Sequence, residues 1–315
     1  MRILITGGFG YLGGRLAQFL GSEGGHEVWL GTRSEREAPR CLSEAQVVRT
    51  EWTSSSALEG ICSGVDAVLH LAGMNAQECC ADPANALDFR AVATSRLIKA
   101  AARQGVGRFV YVSTAHVYAS PLVGRITEDT CPCSSHPYAL SHRAGEDAVR
   151  SVTQAGRMGR IVLRLSNAFG APVTPDADCW ALLTNDLCRQ AATTGRLVLR
   201  SSGLQRRDFV PLTDVCGAVD HLLRLPEISE EFSVFNVGGE WAPTVWEIAS
   251  LVRDRCSAVL GFEPDLSRPS PEAGEVPAEL DYSSDALRQT GFERGGDRVQ
   301  EIDHLLKFCS ESFGG

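Results

Sequence analysis

Residues 1–20 read MRILITGGFGYLGGRLAQFL, and the order of residue types in this stretch decides the fold. Arg2 to Thr6 is a short apolar run of strand length. Gly7, Gly10 and Gly13 then punctuate a turn, and Tyr11 to Leu20 carry apolar residues at helical spacing. The glycines have separate tasks. One permits the tight turn, one lets backbone approach a pyrophosphate, and one lets helix pack on strand. A pyrophosphate would rest on the open amides and positive dipole end of that helix. Strand, glycine turn and helix in this order predict a dinucleotide site; the plainer alternative is a glycine-rich turn in an ordinary strand-to-helix unit.

Working outward, short apolar runs alternate with helical patterns through the first half, which predicts a parallel sheet with helices on both faces. The expected strands after the first are Val28 to Leu30, Ala45 to Val48, Ala67 to Leu71, Phe109 to Ser113 and Ile161 to Leu165. Helices are expected at Asn85 to Gln104 and Tyr138 to Ala155. From Pro172 onward the pattern loosens, and loop signals dominate 226–231 and 264–278, with returns to the sheet near Phe209 to Val215 and Phe235 to Val237. The expected fold class is thus α/β, a Rossmann-type doubly wound parallel sheet with a smaller C-terminal substrate-binding part. Residues 1–168, with returning segments about 205–238, form the dinucleotide-binding domain, and 169–204 with 239–315 form the smaller part.

Composition narrows the class. The 315 residues are 43% hydrophobic and 22% charged, ordinary for a globular enzyme. Net charge is −9 and no basic run occurs, which argues against nucleic acid as a partner. No stretch of about 18 apolar residues is present, and the first strand starts at Arg2, so a cytoplasmic location without a membrane partner is expected. The 11 cysteines include no C-x-x-C, and Cys79-Cys80 and Cys131-Pro132-Cys133 are too cramped for paired zinc half-sites. They read as reduced thiols used as small apolar side chains, and no metal is expected.

The second strand runs into Gly31-Thr32-Arg33-Ser34. An acidic residue here would bond the adenosine ribose, whereas an arginine accommodates a 2′-phosphate. No Asp or Glu stands at Gly31 to Ser34, while Arg33 and Arg36 are available. Arginine's planar fork suits phosphate, so NADP is favoured over NAD; otherwise these arginines are solvated loop residues.

Seven ordered motifs then carry a resemblance over nearly the whole chain: TGGFGYLG at Thr6 to Gly13, HLAG at His70 to Gly73, RFVYVSTAHVY at Arg108 to Tyr118, PYALSH at Pro137 to His142, RLSNAFG at Arg164 to Gly170, RDFVPLTDV at Arg207 to Val215 and FNVGG at Phe235 to Gly239. The chain resembles the extended short-chain dehydrogenase/reductase family, the NAD-dependent epimerase/dehydratase group that includes UDP-galactose 4-epimerase and nucleotide-sugar ketoreductases. The resemblance implies Tyr138 as proton-transferring acid/base and Thr114 as its hydrogen-bonding companion. It assigns Gly7, Gly10, Tyr11, Leu12, Gly13, Arg33, Leu71, Ala72, Gly73, Tyr138 and His142 to the cofactor, and Asn167 and Arg207 to the substrate. For Arg207, whose family role is a diphosphate contact, the plain alternative is a salt bridge with Asp208 or Asp214. For Tyr138 it is a structural tyrosine at a helix start. The strand end at His70 to Gly73 lines the nicotinamide side, and His136 reads as a loop residue.

Three departures from the family pattern refine the expectation. The family has Tyr-x-x-x-Lys, and here the last position is His142, one turn from Tyr138 on the same face. A fixed cation lowers the phenol's pKa; bringing it from about 10 to near 7 takes roughly 4 kcal/mol, which a partly charged histidine supplies less reliably. Abstracting a proton from substrate is then harder, whereas donating one from a neutral phenol stays open. Next, Thr114-Ala115-His116 lacks the Asp-Glu pair of the family's 4,6-dehydratases. His116 stands where relatives have Glu or Cys, and is either a second acid/base or a residue that bonds or packs beside substrate. Last, the arginine that grips the diphosphate in UDP-sugar members falls at Pro271 or Glu272, with Arg268 nearby as a substitute.

The expected protein is therefore an NAD(P)-dependent oxidoreductase reducing a keto group of a nucleotide-linked sugar. An NAD-dependent epimerase and a catalytically impaired dinucleotide-binding protein are the alternatives. The family pairs as homodimers through its two long helices, and Trp180, Trp241 and Trp246 are expected to pack core or lid rather than stack on a sugar.

Overall fold

The computed structural model describes residues 1–152, 158–226 and 232–314. Its strands are β1 (Arg2–Thr6), β2 (Glu27–Thr32), β3 (Gln46–Arg49), β4 (Ala67–His70), β5 (Arg108–Thr114), β6 (Gly124–Ile126), β7 (Gly159–Leu165), β8 (Asn167–Phe169), β9 (Arg196–Val198), β10 (Phe209–Pro211), β11 (Phe232–Val237), β12 (Asp265–Ser267) and β13 (Leu280–Tyr282). Seven of them form one parallel sheet in the order β11-β7-β5-β4-β1-β2-β3. The core strands are buried on both faces: β4 is Ala67-Val68-Leu69-His70 with every residue covered, as a parallel sheet packed between helix layers requires. Strand order reverses between β1 and β4, whose ends pair Thr6 with His70. That reversal is where doubly wound folds take their ligands, beyond the carboxyl ends of the strands.

The helices of the first part are α1 (Tyr11–Ser22), α2 (Ser55–Cys62), α3 (Ala76–Ala81), α4 (Pro83–Asp88), α5 (Thr94–Arg103) and α6 (Pro137–Arg150). The helix expected at Asn85 to Gln104 is α4 and α5 joined through a π-helical turn at Phe89–Ala93. The helix expected from Tyr138 ends at Arg150, and residues 153–155 of that expectation lie outside the described residues, as do 227–231 of the expected loop. Among the described residues no helix is long and apolar enough to cross a membrane.

One expectation is corrected. The stretch Phe209 to Val215 does not return to the large sheet. Only Phe209–Pro211 is extended, and it pairs with β8 in a separate two-stranded ribbon. Pro211 is followed directly by a helix over Leu212–Arg224 whose first turn carries Asp214, a charge that suits the helix's positive end. The β11 edge strand does join the sheet, as expected for Phe235 to Val237.

The chain divides into two compact units. One comprises Met1–Pro121, Glu128–Leu165 and Ala218–Asn236; the other comprises Leu122–Thr127, Ser166–Gly217 and Val237–Gly315. Residues 205–217 thus group with the second unit rather than with the first. The first unit packs Leu4, Val68, Leu97, Phe109 and Val162 in one cluster, and the second packs Phe169, Leu187, Phe209, Ile248 and Leu305 in another. Cys62, Cys79, Cys179, Cys188, Cys216, Cys256 and Cys309 are buried thiols, filling space as small groups in the interior.

A buried ionic network fixes α6 on the sheet. Glu146 receives the Arg164 guanidinium at 2.7 Å and the Ser113 hydroxyl at 2.5 Å. Arg164 also donates to the Tyr118 hydroxyl at 2.9 Å, which donates onward to Asn236 at 2.7 Å. Strands β5, β7 and β11 are thereby tied to a helix face that carries 138, 142 and 146 at four-residue spacing. Removing one partner of such a pair strands the other charge in the interior. Glu146→Ala is therefore expected to lower unfolding free energy by about 3–5 kcal/mol in urea titrations; a loss well under 1 kcal/mol would contradict this account of the network.

Candidate active site

The turn between β1 and α1 is built of backbone in contact with backbone. Gly7 adopts φ +78°, and a Cβ there would lie 2.9 Å from the Ala72 amide nitrogen, so the turn presses on the end of β4. A Cβ on Gly13 would collide with the Gly7 carbonyl. Helix α1 starts after Gly10 with no side-chain cap and no acidic residue in its first turn. By contrast, α3 opens with a capping box in which Asn75 and Glu78 satisfy one another's amides. No side chain caps the start of α1, and an anion suits that positive helix end.

A cavity of about 460 Å³ opens from this turn. Gly7, Gly10, Arg33, Ala72 and Gly73 line it, together with Phe9, Arg36, Trp52, Glu78 and Phe89. Tyr11 and Leu12 begin α1, Gly13 packs beneath the turn, and Leu71 supports Gly7 with its backbone. Arg36 lies over the Phe9 ring at 4.5 Å, which leaves Arg33 and Arg36 together on the β2 side. The carboxylate in the wall, Glu78, is engaged by the Asn75 amide at 2.8 Å.

The chemistry-bearing residues gather at the ends of β5 and the start of α6. Pro137 occupies the first turn of α6, and His136, expected as a loop residue, is its N-cap: the ring Nδ1 accepts from the Tyr138 amide at 3.3 Å. Tyr138 and His142 pack edge to face with ring centroids 4.5 Å apart. The Thr114 hydroxyl, buried at the end of β5, lies near enough to the Tyr138 phenol to favour its ionised form. Burial raises the phenol above its ordinary value, with Arg90 opposing that rise. Burial also holds His142 well below the ordinary imidazole value, and Arg90 adds to this. His142 is therefore a neutral ring, and its Nε2 is buried without a hydrogen-bond partner. His116 sits exposed on the short 3₁₀ turn after Thr114, its amide donating to the Thr114 hydroxyl.

Arg90 is the residue that motif matching missed. It lies in the π-helical turn, 4% exposed, with its guanidinium 5.8 Å from the centre of the Tyr138 ring and packed directly on Gly73. A signal was available in the sequence. Ala86, Arg90, Ala93 and Leu97 form a buried stripe at helical spacing, and one member of it is charged.

His70 lies below the cavity rather than in its wall. Its Nδ1 is 2.6 Å from the Thr6 hydroxyl and its Nε2 is 2.9 Å from the Thr94 hydroxyl, so it ties β1, β4 and α5 together.

In the second unit, Asn167 donates its side-chain amide to the Asp208 carbonyl at 2.8 Å. Asp208 is fully buried and taken up by the Ser166 hydroxyl and the Gly239 and Trp241 amides. Asp214 accepts from the Gly295 and Gly296 amides. Among the described residues neither pairs with Arg207, which bonds Gln205 at 3.1 Å and whose pKa is lowered by burial. The salt-bridge alternative for Arg207 is thereby excluded. Arg268 stacks on Trp246 at 4.0 Å, Arg298 covers Trp241 at 4.9 Å, and Trp180 packs on Phe308 and Phe313. These tryptophans pack against the chain itself.

The observations fit a bound dinucleotide: a backbone cradle that a Cβ would fill, a helix start without a side-chain cap, and an orphaned imidazole nitrogen one turn from a phenol. Among the described residues no group of three or more His, Cys, Asp or Glu is placed to hold a metal.

Residues 3–238 match the NAD dependent epimerase/dehydratase family, and the chain belongs to it. It is 28% identical to a dTDP-4-dehydro-6-deoxy-D-allose reductase of a Streptomyces species, over 89% of this chain and 88% of that one. It is 26% identical to a dTDP-glucose 4,6-dehydratase of Streptomyces niveus, over 82% and 78%. Among solved structures, an NAD-dependent NDP-hexosamine 5,6-dehydratase involved in tunicamycin biosynthesis superposes with a TM-score of 0.77 at 27% identity, covering 98% and 97%.

The two buried neutral histidines set a pH dependence. Burial pushes His70 down to about 3 from 6.5. The unfolded chain then binds a proton that the folded one refuses, so stability is full above about pH 6.5 and falls as pH drops. At pH 5 the loss from His70 is about 2 kcal/mol, and His142 acts in the same direction. Urea midpoints at pH 7.5 and 5.0 should show this decline, and His70→Asn should remove part of it. Equal midpoints in the native protein would contradict the neutral assignment.

Proposed function

We propose that this protein is an NADP-preferring reductase of a keto group on a nucleotide-linked sugar, with Tyr138 as proton donor. The observation that carries this reading is the state of the Tyr138–His142 pair. Burial keeps the phenol protonated, and the group one turn away is a neutral ring rather than a fixed cation. A protonated phenol donates, which suits reduction of a carbonyl better than oxidation of an alcohol.

Gly7, Gly10, Tyr11, Leu12, Gly13, Leu71, Ala72 and Gly73 would hold the cofactor's phosphates and nicotinamide side, and His142 Nε2 would bond its ribose. When bound, the reduced nicotinamide supplies the hydride that the carbonyl carbon accepts. Tyr138 gives its proton to the carbonyl oxygen, and Thr114 bonds that oxygen as negative charge develops on it. His116 would touch the substrate beside this position. Asn167 and Arg207 of the second unit are proposed as substrate contacts, Arg207 to the diphosphate, since no carboxylate among the described residues neutralises it. Arg33 and Arg36 would take the 2′-phosphate; the wall's carboxylate Glu78 is engaged in a cap and does not compete for the ribose. The protein is further proposed to act as a cytoplasmic homodimer.

Purified protein given NADPH and a dTDP-4-keto-6-deoxyhexose should oxidise the cofactor stoichiometrically with product. Tyr138→Phe should lower kcat by about 10²–10⁴-fold. Isomerised sugar with no net cofactor consumption would identify an epimerase instead, and undiminished turnover in Tyr138→Phe would remove the phenol from the reaction. Arg33→Ala should weaken NADPH roughly 10- to 100-fold while sparing NADH, the worth of one charge-assisted contact of about 1.5–3 kcal/mol. Equal losses for both cofactors would overturn the NADP preference.

A further inference from the structure

We propose that Arg90 is a positioning residue that supplies the fixed positive charge for proton transfer at Tyr138. The proposal rests on Tyr138 being the proton donor. Donation leaves a phenolate at a half-buried position packed against His142, and an anion there needs a cation nearby. His142 does not provide one, being neutral and pushed further from charge by its surroundings.

Arg90 does. Its guanidinium lies 5.8 Å from the centre of the Tyr138 ring, close enough to favour the ionised phenol. Its polar contacts are the Met74 carbonyl, at 3.1 Å, and the Tyr111 hydroxyl, while its Nε has no partner. Among the described residues no carboxylate pairs with it. A buried guanidinium without a counter-charge is costly for a fold to keep, and uncompensated charges of this kind collect at sites of chemistry.

The local backbone is arranged around it. The π-helical turn at Phe89–Ala93 inserts an irregularity between α4 and α5, and such turns recur at functional positions. Gly73 leaves room for the guanidinium, because a side chain there would strike it. Arg90 also disfavours charge on His142 and His70, so one group keeps both imidazoles neutral and steadies the phenolate.

The titratable groups around Tyr138 come from several elements. Cys79 faces it from α3, Arg90 from the π turn, Thr114 from the end of β5 and His142 from its own helix. His70, Tyr111 and His116 surround His142, and Glu146 is committed to Arg164. Arg90 is the fixed cation in this set.

The test uses full-length protein. Alkaline titration followed at 295 nm, with the Tyr138→Phe trace subtracted, isolates the Tyr138 phenol and needs neither cofactor nor substrate. Arg90→Gln should raise that midpoint by about one pH unit or more, and the alkaline limb of the keto-sugar reduction should move up with it while its plateau falls. Arg90→Lys should keep the midpoint near the native one. Arg90→Gln combined with His142→Lys, which returns a cation one turn from the phenol, should bring it back down. Circular dichroism checks that each variant is folded; should Arg90→Gln fail to fold, Arg90→Lys and the double variant still decide the matter. A Tyr138 midpoint in folded Arg90→Gln equal to the native one, or a midpoint in the double variant no lower than in Arg90→Gln, would overturn the proposal. If Tyr138→Phe retains turnover, the donor reading fails instead, and the phenol titration distinguishes the two failures.

Discussion

Everything at the candidate site depends on how closely the β1–α1 turn lies against the end of β4. Gly7 and Gly13 carry no Cβ because neighbouring backbone occupies the space one would need. That contact sets the start of α1 at the point where strand order reverses, with no side-chain cap. A side chain at either glycine would lift helix from sheet and close the place where an anion can sit. The cradle is thus a packing constraint first and a ligand site as its consequence.

The second constraint is dryness. Tyr138, His142, Thr114, His70 and Arg90 sit within a wall that burial controls, and their protonation follows from it. His70 is held neutral between two threonine hydroxyls and serves as a structural tie. His142 is neutral for the same reason but keeps one nitrogen unpartnered. The same imidazole chemistry therefore yields a strut in one place and an open hydrogen-bonding position in another, and hydroxyl partners make the difference.

Much of the sheet was legible because its strands are buried on both faces and read as apolar runs between glycines and helical stripes; β1 and β4 are the clearest cases. The Tyr138–His142 pair was legible because four-residue spacing on a helix puts both on one face. What periodicity could not reveal was where a short extended run would pair. Phe209 to Pro211 has strand character, yet its partner is β8 rather than the large sheet. The role of His136 was hidden as well, since capping depends on backbone geometry at the start of α6. Arg90 escaped notice because its neighbourhood comes from α3, α6 and the loop after β4, which converge only in the folded chain, although a charge within a buried helical stripe marked the position.

In the proposed enzyme the imidazole at 142 and the phenol at 138 flank a dinucleotide lying on the glycine turn. A crystal structure of the protein with NADPH tests this most directly. Phosphates are expected at the start of α1, a ribose hydroxyl within hydrogen-bond distance of His142 Nε2, and the nicotinamide beside the Tyr138 phenol. A dinucleotide bound elsewhere, or one bound on the turn with the His142 nitrogen still unpartnered, would contradict it.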